Sequence, residues 1–169
     1  MDERRTYLLS LAQSVKERRK QCDYSREELA LISSLHPNTI SVVERAERDV
    51  NIVTLIKIVS ALGCVGLHLE DNTYNIFYND KTTNLIPRND LLSIYNSELI
   101  RRIGIAVKNK REMSGMKLDD VSLDTGLHLN TIWNCEQGLV TPDGYTMYRI
   151  YNSLGIREIS EHDGQLSFI

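Results

Sequence analysis

The sequence is poor in the residues that mark metal centres, disulfide scaffolds and membrane spans. It holds three cysteines in 169 residues, Cys22, Cys64 and Cys135. None forms a CxxC or a Cys/His cluster, so neither a metal site nor a disulfide framework is expected, and the thiols read as reduced and mostly buried. The four histidines show no HExxH spacing. A Gly-rich phosphate loop and a GxSxG elbow are also missing, so the chain is expected to be no enzyme and to need no cofactor. No apolar run approaches the ~20 residues that a bilayer requires, and the charged start Asp2-Glu3-Arg4-Arg5 leads into no signal-type core. A cytoplasmic protein without membrane association is expected. Neither sign of charge dominates, the net being −3. The acid is nevertheless unevenly placed. Residues 1–63 carry ten Lys/Arg against nine Asp/Glu, and residues 92–155 carry seven against seven. The excess lies in 64–91 and 156–169, which permits a basic face on each remaining part.

What the chain does have is an internal echo. Leu35-His36-Pro37-Asn38-Thr39-Ile40 returns 92 positions later as Leu127-His128-Leu129-Asn130-Thr131-Ile132. The same offset, without a gap, pairs Val15 with Val107, Arg19 with Arg111, Glu44 with Glu136, Ile58 with Ile150 and Leu62-Gly63 with Leu154-Gly155. Register kept over such a span implies two copies of one folding unit. Each is small for a self-sufficient core, so packing between halves or between chains is expected.

The first copy reads as four helices. Leu8, Leu11, Val15 and Leu9 form an apolar stripe over residues 7–22, with Lys16, Arg18, Arg19 and Lys20 towards the end where cations suit the dipole. Ser25-Arg26-Glu27-Glu28 is a capping box opening a second helix, from which Leu29, Ala30 and Ile32 face inward. His36-Pro37 opens a third, Pro standing where its missing N–H costs nothing. Asn51 caps a fourth, with Ile52, Leu55, Ile58, Val59 and Leu62 inward and Gly63 at its end. After each copy, alternating apolar residues flank Asp71-Asn72 and, 92 positions on, Asp163-Gly164. That pattern predicts a β-hairpin in each unit.

Helix, short turn, helix over residues 26–45 is the helix-turn-helix arrangement. With Arg19, Ser25-Arg26-Glu27-Glu28-Leu29-Ala30, Thr39-Ile40 and Glu44-Arg45-Ala46, the first half resembles the Cro/repressor (XRE-like) helix-turn-helix family. The second half resembles it through Arg111, Thr131-Ile132, Glu136-Gln137-Gly138 and Pro142. The resemblance implies a mainly α fold with a little β: two tandem lambda-repressor-like domains, 1–78 and 91–169, each ending in a hairpin and joined by a turn-rich linker, 79–90. It implies a sequence-specific regulator of double-stranded DNA, working as a covalent pseudo-dimer with third helices in successive major grooves. Because an isolated hairpin is marginal in water, the hairpins are expected to pair with each other, within the chain or across a homodimer.

By position, the family places Arg26, His36, Pro37, Asn38, Thr39, Ser41, Val42, Arg45 and Arg48 of the first copy on DNA. In the second copy it places His128, Asn130, Thr131, Trp133, Asn134 and Gln137 there. Asn38 suits an adenine edge and Val42 a thymine methyl. Arg26, Arg45 and Arg48 suit phosphates. Arg19 with Glu44, and Arg111 with Glu136, match a structural ion pair. The chain departs from the pattern at Ala46 and Val50, where the family has Gly and Pro, and at Lys117-Leu118, where it has a cap and Gln. Leu129 and Trp133 are four apart and form one outward apolar patch. The competing expectation is therefore an antitoxin-like or anti-repressor module whose second copy binds protein through Leu129 and Trp133.

Overall fold

The computed structural model describes residues 2–70, 73–78, 96–156, 158–162 and 165–168, with the strand segments and residue 96 given by backbone alone. Among these residues the chain is mainly helical, with eight helices. Helix α1 is Glu3–Gln21, α2 Arg26–Ile32, α3 Pro37–Glu44 and α4 Ile52–Ala61. Helix α1 starts ahead of its apolar stripe because Asp2 caps it, and its buried face is Tyr7, Leu11, Ala12, Val15 and Arg19. Leu9, expected inward, is 40% exposed; Tyr7, Leu11 and Val15, each four apart, take the core side, and Leu9 falls past its edge. The Ser25 box closes as expected, Glu28 N–H donating to Ser25 Oγ at 3.0 Å and Ser25 N–H to Glu28 Oε2 at 2.7 Å. Asn51 caps α4, its Oδ1 accepting from Thr54 N–H at 2.8 Å.

Helices α5 (Asn96–Met113), α6 (Leu118–Thr125), α7 (Leu129–Glu136) and α8 (Gly144–Ser153) follow in the same order. Asp143 caps α8 as Asn51 caps α4. Lys117 offers no acceptor to α6, so only half a box forms, with Lys117 N–H donating to Asp120 Oδ2 at 2.7 Å. One buried apolar cluster runs through both sets of helices, from Tyr7 and Leu11 through Ile40 and Ile58 to Ile132 and Ile150. Cys135 lies within it, and burial pushes its thiol up to about 11, so it stays protonated.

Backbone strands complete the chain. Strand β1 (Cys64–Glu70) runs antiparallel to β2 (Thr73–Tyr78), and β3 (Glu158–His162) antiparallel to β4 (Gln165–Phe168). The expected turns at Asp71-Asn72 and Asp163-Gly164, and the expected linker 79–90, lie outside the described residues. The sheet order is β2-β1-β3-β4. Pairing of the two hairpins with each other, within the chain or across a dimer, was the expectation; β1 runs antiparallel to β3 of the same chain.

Two backbone seams join the halves, and both are reciprocal. Leu67 lies opposite Ile159, flanked by Gly66 opposite Ser160 and His68 opposite Glu158. Leu67 and Ile159 are 92 positions apart, and the flanking pairs exchange places under that shift. At the helix N-termini, Ile52 N–H donates to Pro142 O at 3.0 Å and Gly144 N–H to Val50 O at 2.9 Å. Asn51 bridges Asp143 between them. These are again partners under the same shift. Side chains then break the symmetry. Tyr7, Tyr145 and Tyr148 pack with ring centroids 5.2–5.9 Å apart, whereas Leu99, Val53 and Ile56 hold the corresponding positions. Asp49 Oδ2 accepts from Tyr145 N–H at 2.8 Å. Burial raises the Asp49 carboxyl, the Tyr145 N–H works against this, and the Asp143 charge adds to it.

Candidate nucleic-acid interface

The site is built from the turn between α2 and α3. Ser33 is fully buried, its hydroxyl donating to Leu29 O at 2.7 Å. Ser34 takes φ 54°, which redirects the chain within two residues. His36 then caps α3, its Nδ1 accepting from Asn38 N–H at 3.1 Å. The cap leaves the imidazole edge and the Asn38 amide in solvent at the helix start, with Pro37, Thr39 and Ser41 half-buried beside them. A helix N-terminus with exposed amide and hydroxyl groups offers N–H donors to phosphate and a carboxamide to base edges.

The far end of α3 is locked from below. Arg19 Nε and Nη2 grip Glu44 Oε1 and Oε2 at 2.5 and 3.1 Å, while Nη1 donates to Tyr24 O at 2.7 Å. The Glu44 side chain is fully enclosed. Burial alone would raise its carboxyl, but the hydrogen bonds and charges of Arg19 and Arg26 outweigh this and hold it below the usual range. The arrangement ties α1 to the end of α3 and sets the tilt of the exposed helix face.

Of the residues expected on DNA, Val42 is buried and Arg26 is ion-paired within the protein. Val42 is 6% exposed: Asn38, Ser41 and Arg45 share one face at helical spacing, and Val42 turns with Val43 toward the core. Arg26 is half-exposed, its Nε bonded to Glu44 Oε2 at 2.7 Å. Arg45 pairs with Glu47 at 2.7 Å on the surface, a contact worth little in water, and Arg48 is exposed. A hollow beside them is lined by Lys16, Lys20 and Arg45, together with Glu17 and Glu44. Lys16 and Lys20 were read in the sequence only as cations suiting the dipole of α1 on a solvated face, and their place beside Arg45 follows from α1 meeting the end of α3.

This capped pair of short helices, with a tight turn and an outward second helix, has a known counterpart. Residues 15–68 match the helix-turn-helix family model. The match runs from within α1 to within β1 and includes the whole α2–turn–α3 unit, an XRE-type helix-turn-helix domain. No curated protein and no solved structure matches the chain. The helix-turn-helix domain is of a kind found in DNA-binding regulators. Among the described residues no helix is long and apolar enough to cross a membrane, and no group of three or more His, Cys, Asp or Glu is placed to hold a metal.

Helices α6 and α7 carry the residues expected from the second copy. His128 Nδ1 accepts from Asn130 N–H at 3.2 Å, with His128, Asn130 and Gln137 exposed and Thr131 and Asn134 half-buried. Arg111 Nε and Nη2 meet Glu136 Oε1 and Oε2 at 2.6 and 2.9 Å, and Nη1 donates to Met116 O at 2.8 Å. Trp133 is 45% exposed and lines an open hollow with Leu118, Leu129, Asp119 and Asn130. Lys16 recurs as Lys108, but the other cations of this face in the first copy are lost. Arg26, Arg45 and Arg48 correspond to Leu118, Gln137 and Val140, and Lys20 to Glu112.

Proposed function

We propose that the protein is a sequence-specific, double-stranded-DNA-binding transcriptional regulator, non-enzymatic and cytoplasmic, in which domains 1–78 and 91–169 act as a covalent pseudo-dimer joined through 79–90. The observation that carries this reading is the exposed start of α3, His36 to Ser41, presented by a helix-turn-helix domain with Arg45 and Arg48 beside it. Such a helix lies in the major groove with its N-terminal residues at the base edges. The pseudo-dimer is supported by matching caps at His36 and His128 and matching forks at Arg19 and Arg111. Linking two modules raises the effective concentration of the second contact. Gel shift and footprinting against the DNA flanking its own gene test the proposal. Protection of a defined site, weakened by Asn38→Ala and by added salt, is expected; no protection, or binding indifferent to Asn38, rejects it.

The apolar hollow at Leu118, Leu129 and Trp133, stripped of cations, favours a second reading for the C-terminal half. There the module binds a protein, as an antitoxin-like or anti-repressor chain would. Capture of a partner that survives nuclease and is lost in Trp133→Ala supports it.

A further inference from the structure

Resting on the DNA-binding reading, we propose that one chain occupies a whole operator whose two half-sites are inverted about a dyad and related but not identical in sequence. Two modules in tandem can lie on DNA as a direct or an inverted repeat, and their order along the chain does not choose. The seams choose. A head-to-tail contact joins two different patches, whereas a two-fold contact is self-complementary, with residue i meeting j and j meeting i. Ile52 to Pro142 and Gly144 to Val50 exchange under the shift of 92, and Asn51–Asp143 and Leu67–Ile159 map onto themselves. Two separate self-mapping contacts define one two-fold axis between the sets of helices. That axis carries α3 onto α7 with reversed polarity, which on a duplex means inverted half-sites.

The residues at each helix start set how alike the halves are. His36, Asn38 and Thr39 recur as His128, Asn130 and Thr131, so both modules present the same carboxamide, suited to adenine, on opposite strands. Pro37 and Ser41 become Leu129 and Trp133, so the flanking bases differ. Arg45 and Arg48 become Gln137 and Val140, so the first half-site is held by more phosphate contacts.

The test is selection of the full-length chain on a randomised duplex library, followed by native mass measurement of the complex. Adenines at dyad-related positions on opposite strands, unequal flanks and one chain per duplex are expected. A motif repeated along one strand, a single half-site, or two chains per site overturns the proposal. A second arm selects with the full-length variant Leu129→Pro/Trp133→Ser, checked for native circular dichroism, whose site should move toward a perfect palindrome; a tandem repeat overturns the orientation. Should that variant fail to fold, the wild-type selection decides alone. Recovery of no sequence rejects DNA binding and this inference with it, whereas enrichment of direct repeats rejects the orientation only.

Discussion

Glu44 and Asn38 lie six residues apart in sequence and do opposite work. Glu44 is enclosed between two guanidinium groups, and removing one partner of a buried pair costs about 3–5 kcal/mol because the other charge is left without it. Glu44→Gln should therefore lower the melting temperature sharply, measured by circular dichroism. Its carboxyl is held below the usual range, so its contribution is complete above the unfolded value near ~4.3 and is lost as pH falls through the folded value. Acid titration of stability should show that loss in the wild type and not in Glu44→Gln. Asp49, raised by burial, acts in the opposite sense: its contribution is present at low pH and lost as pH rises through its folded value. Asn38 is exposed and supports nothing else, so Asn38→Ala should leave the melt unchanged and cost about 1–3 kcal/mol of discrimination at its base pair. The caps at Ser25, His36 and Asn51 were legible because each acts within three residues of its partner, whereas the ion pair of Arg19 with Glu44, 25 residues apart, was implied only by the family resemblance. The burial of Val42 and the capture of Arg26 by Glu44 were not legible, since both depend on how far α3 turns against α1.

At the level of elements, four left-handed positions punctuate each set of helices. In the first they are Asp23, Ser34, Ala46 and Gly63; in the second, Gly115, Gly126, Gly138 and Gly155. All four pairs are 92 apart, so the same turns are made with glycine in one half and largely without it in the other. A non-glycine residue held left-handed costs roughly 1 kcal/mol. Ser34 is exposed, and Ser34→Gly should raise stability by about that amount. Gly115→Ala should lower it comparably, because a Cβ there meets no atom and only the strain remains. Chemical denaturation of the two single variants and the double variant checks both signs, and distant sites should add.

For the molecule as a whole, the seam matters more than any single element. A Cβ at Gly144 would run into the Tyr7 hydroxyl and approach Asp49 Oδ1 at 3.1 Å. Gly144→Ala should therefore loosen the union of the halves, costing about 1–3 kcal/mol, and weaken DNA binding although no DNA-facing residue has changed. Charge is a second whole-molecule property. Restoring cations with Gln137→Arg and Val140→Arg should tighten DNA binding and steepen the dependence of log K on log salt by about 0.9 for each new phosphate contact. An unchanged slope would mean that α7 does not approach the duplex.

The sequence by itself determined the apolar helix stripes, the caps at Ser25, His36 and Asn51 and the helix-turn-helix arrangement of residues 26–45, because periodicity and capping are local, and it showed the offset of 92 by direct comparison; the caps at Asp2 and Asp143 were not read from it. It could not determine that Val42 joins Ile40 and Val43 on the inward side of α3, which arginines pair within the protein, or whether the halves meet head to tail or about a two-fold. Those depend on contacts between residues far apart in the chain, such as Arg26 with Glu44, Asp49 with Tyr145 and Leu67 with Ile159. Only packing in three dimensions decides them, because each is won by burial and backbone pairing against alternatives that the local sequence allows equally well.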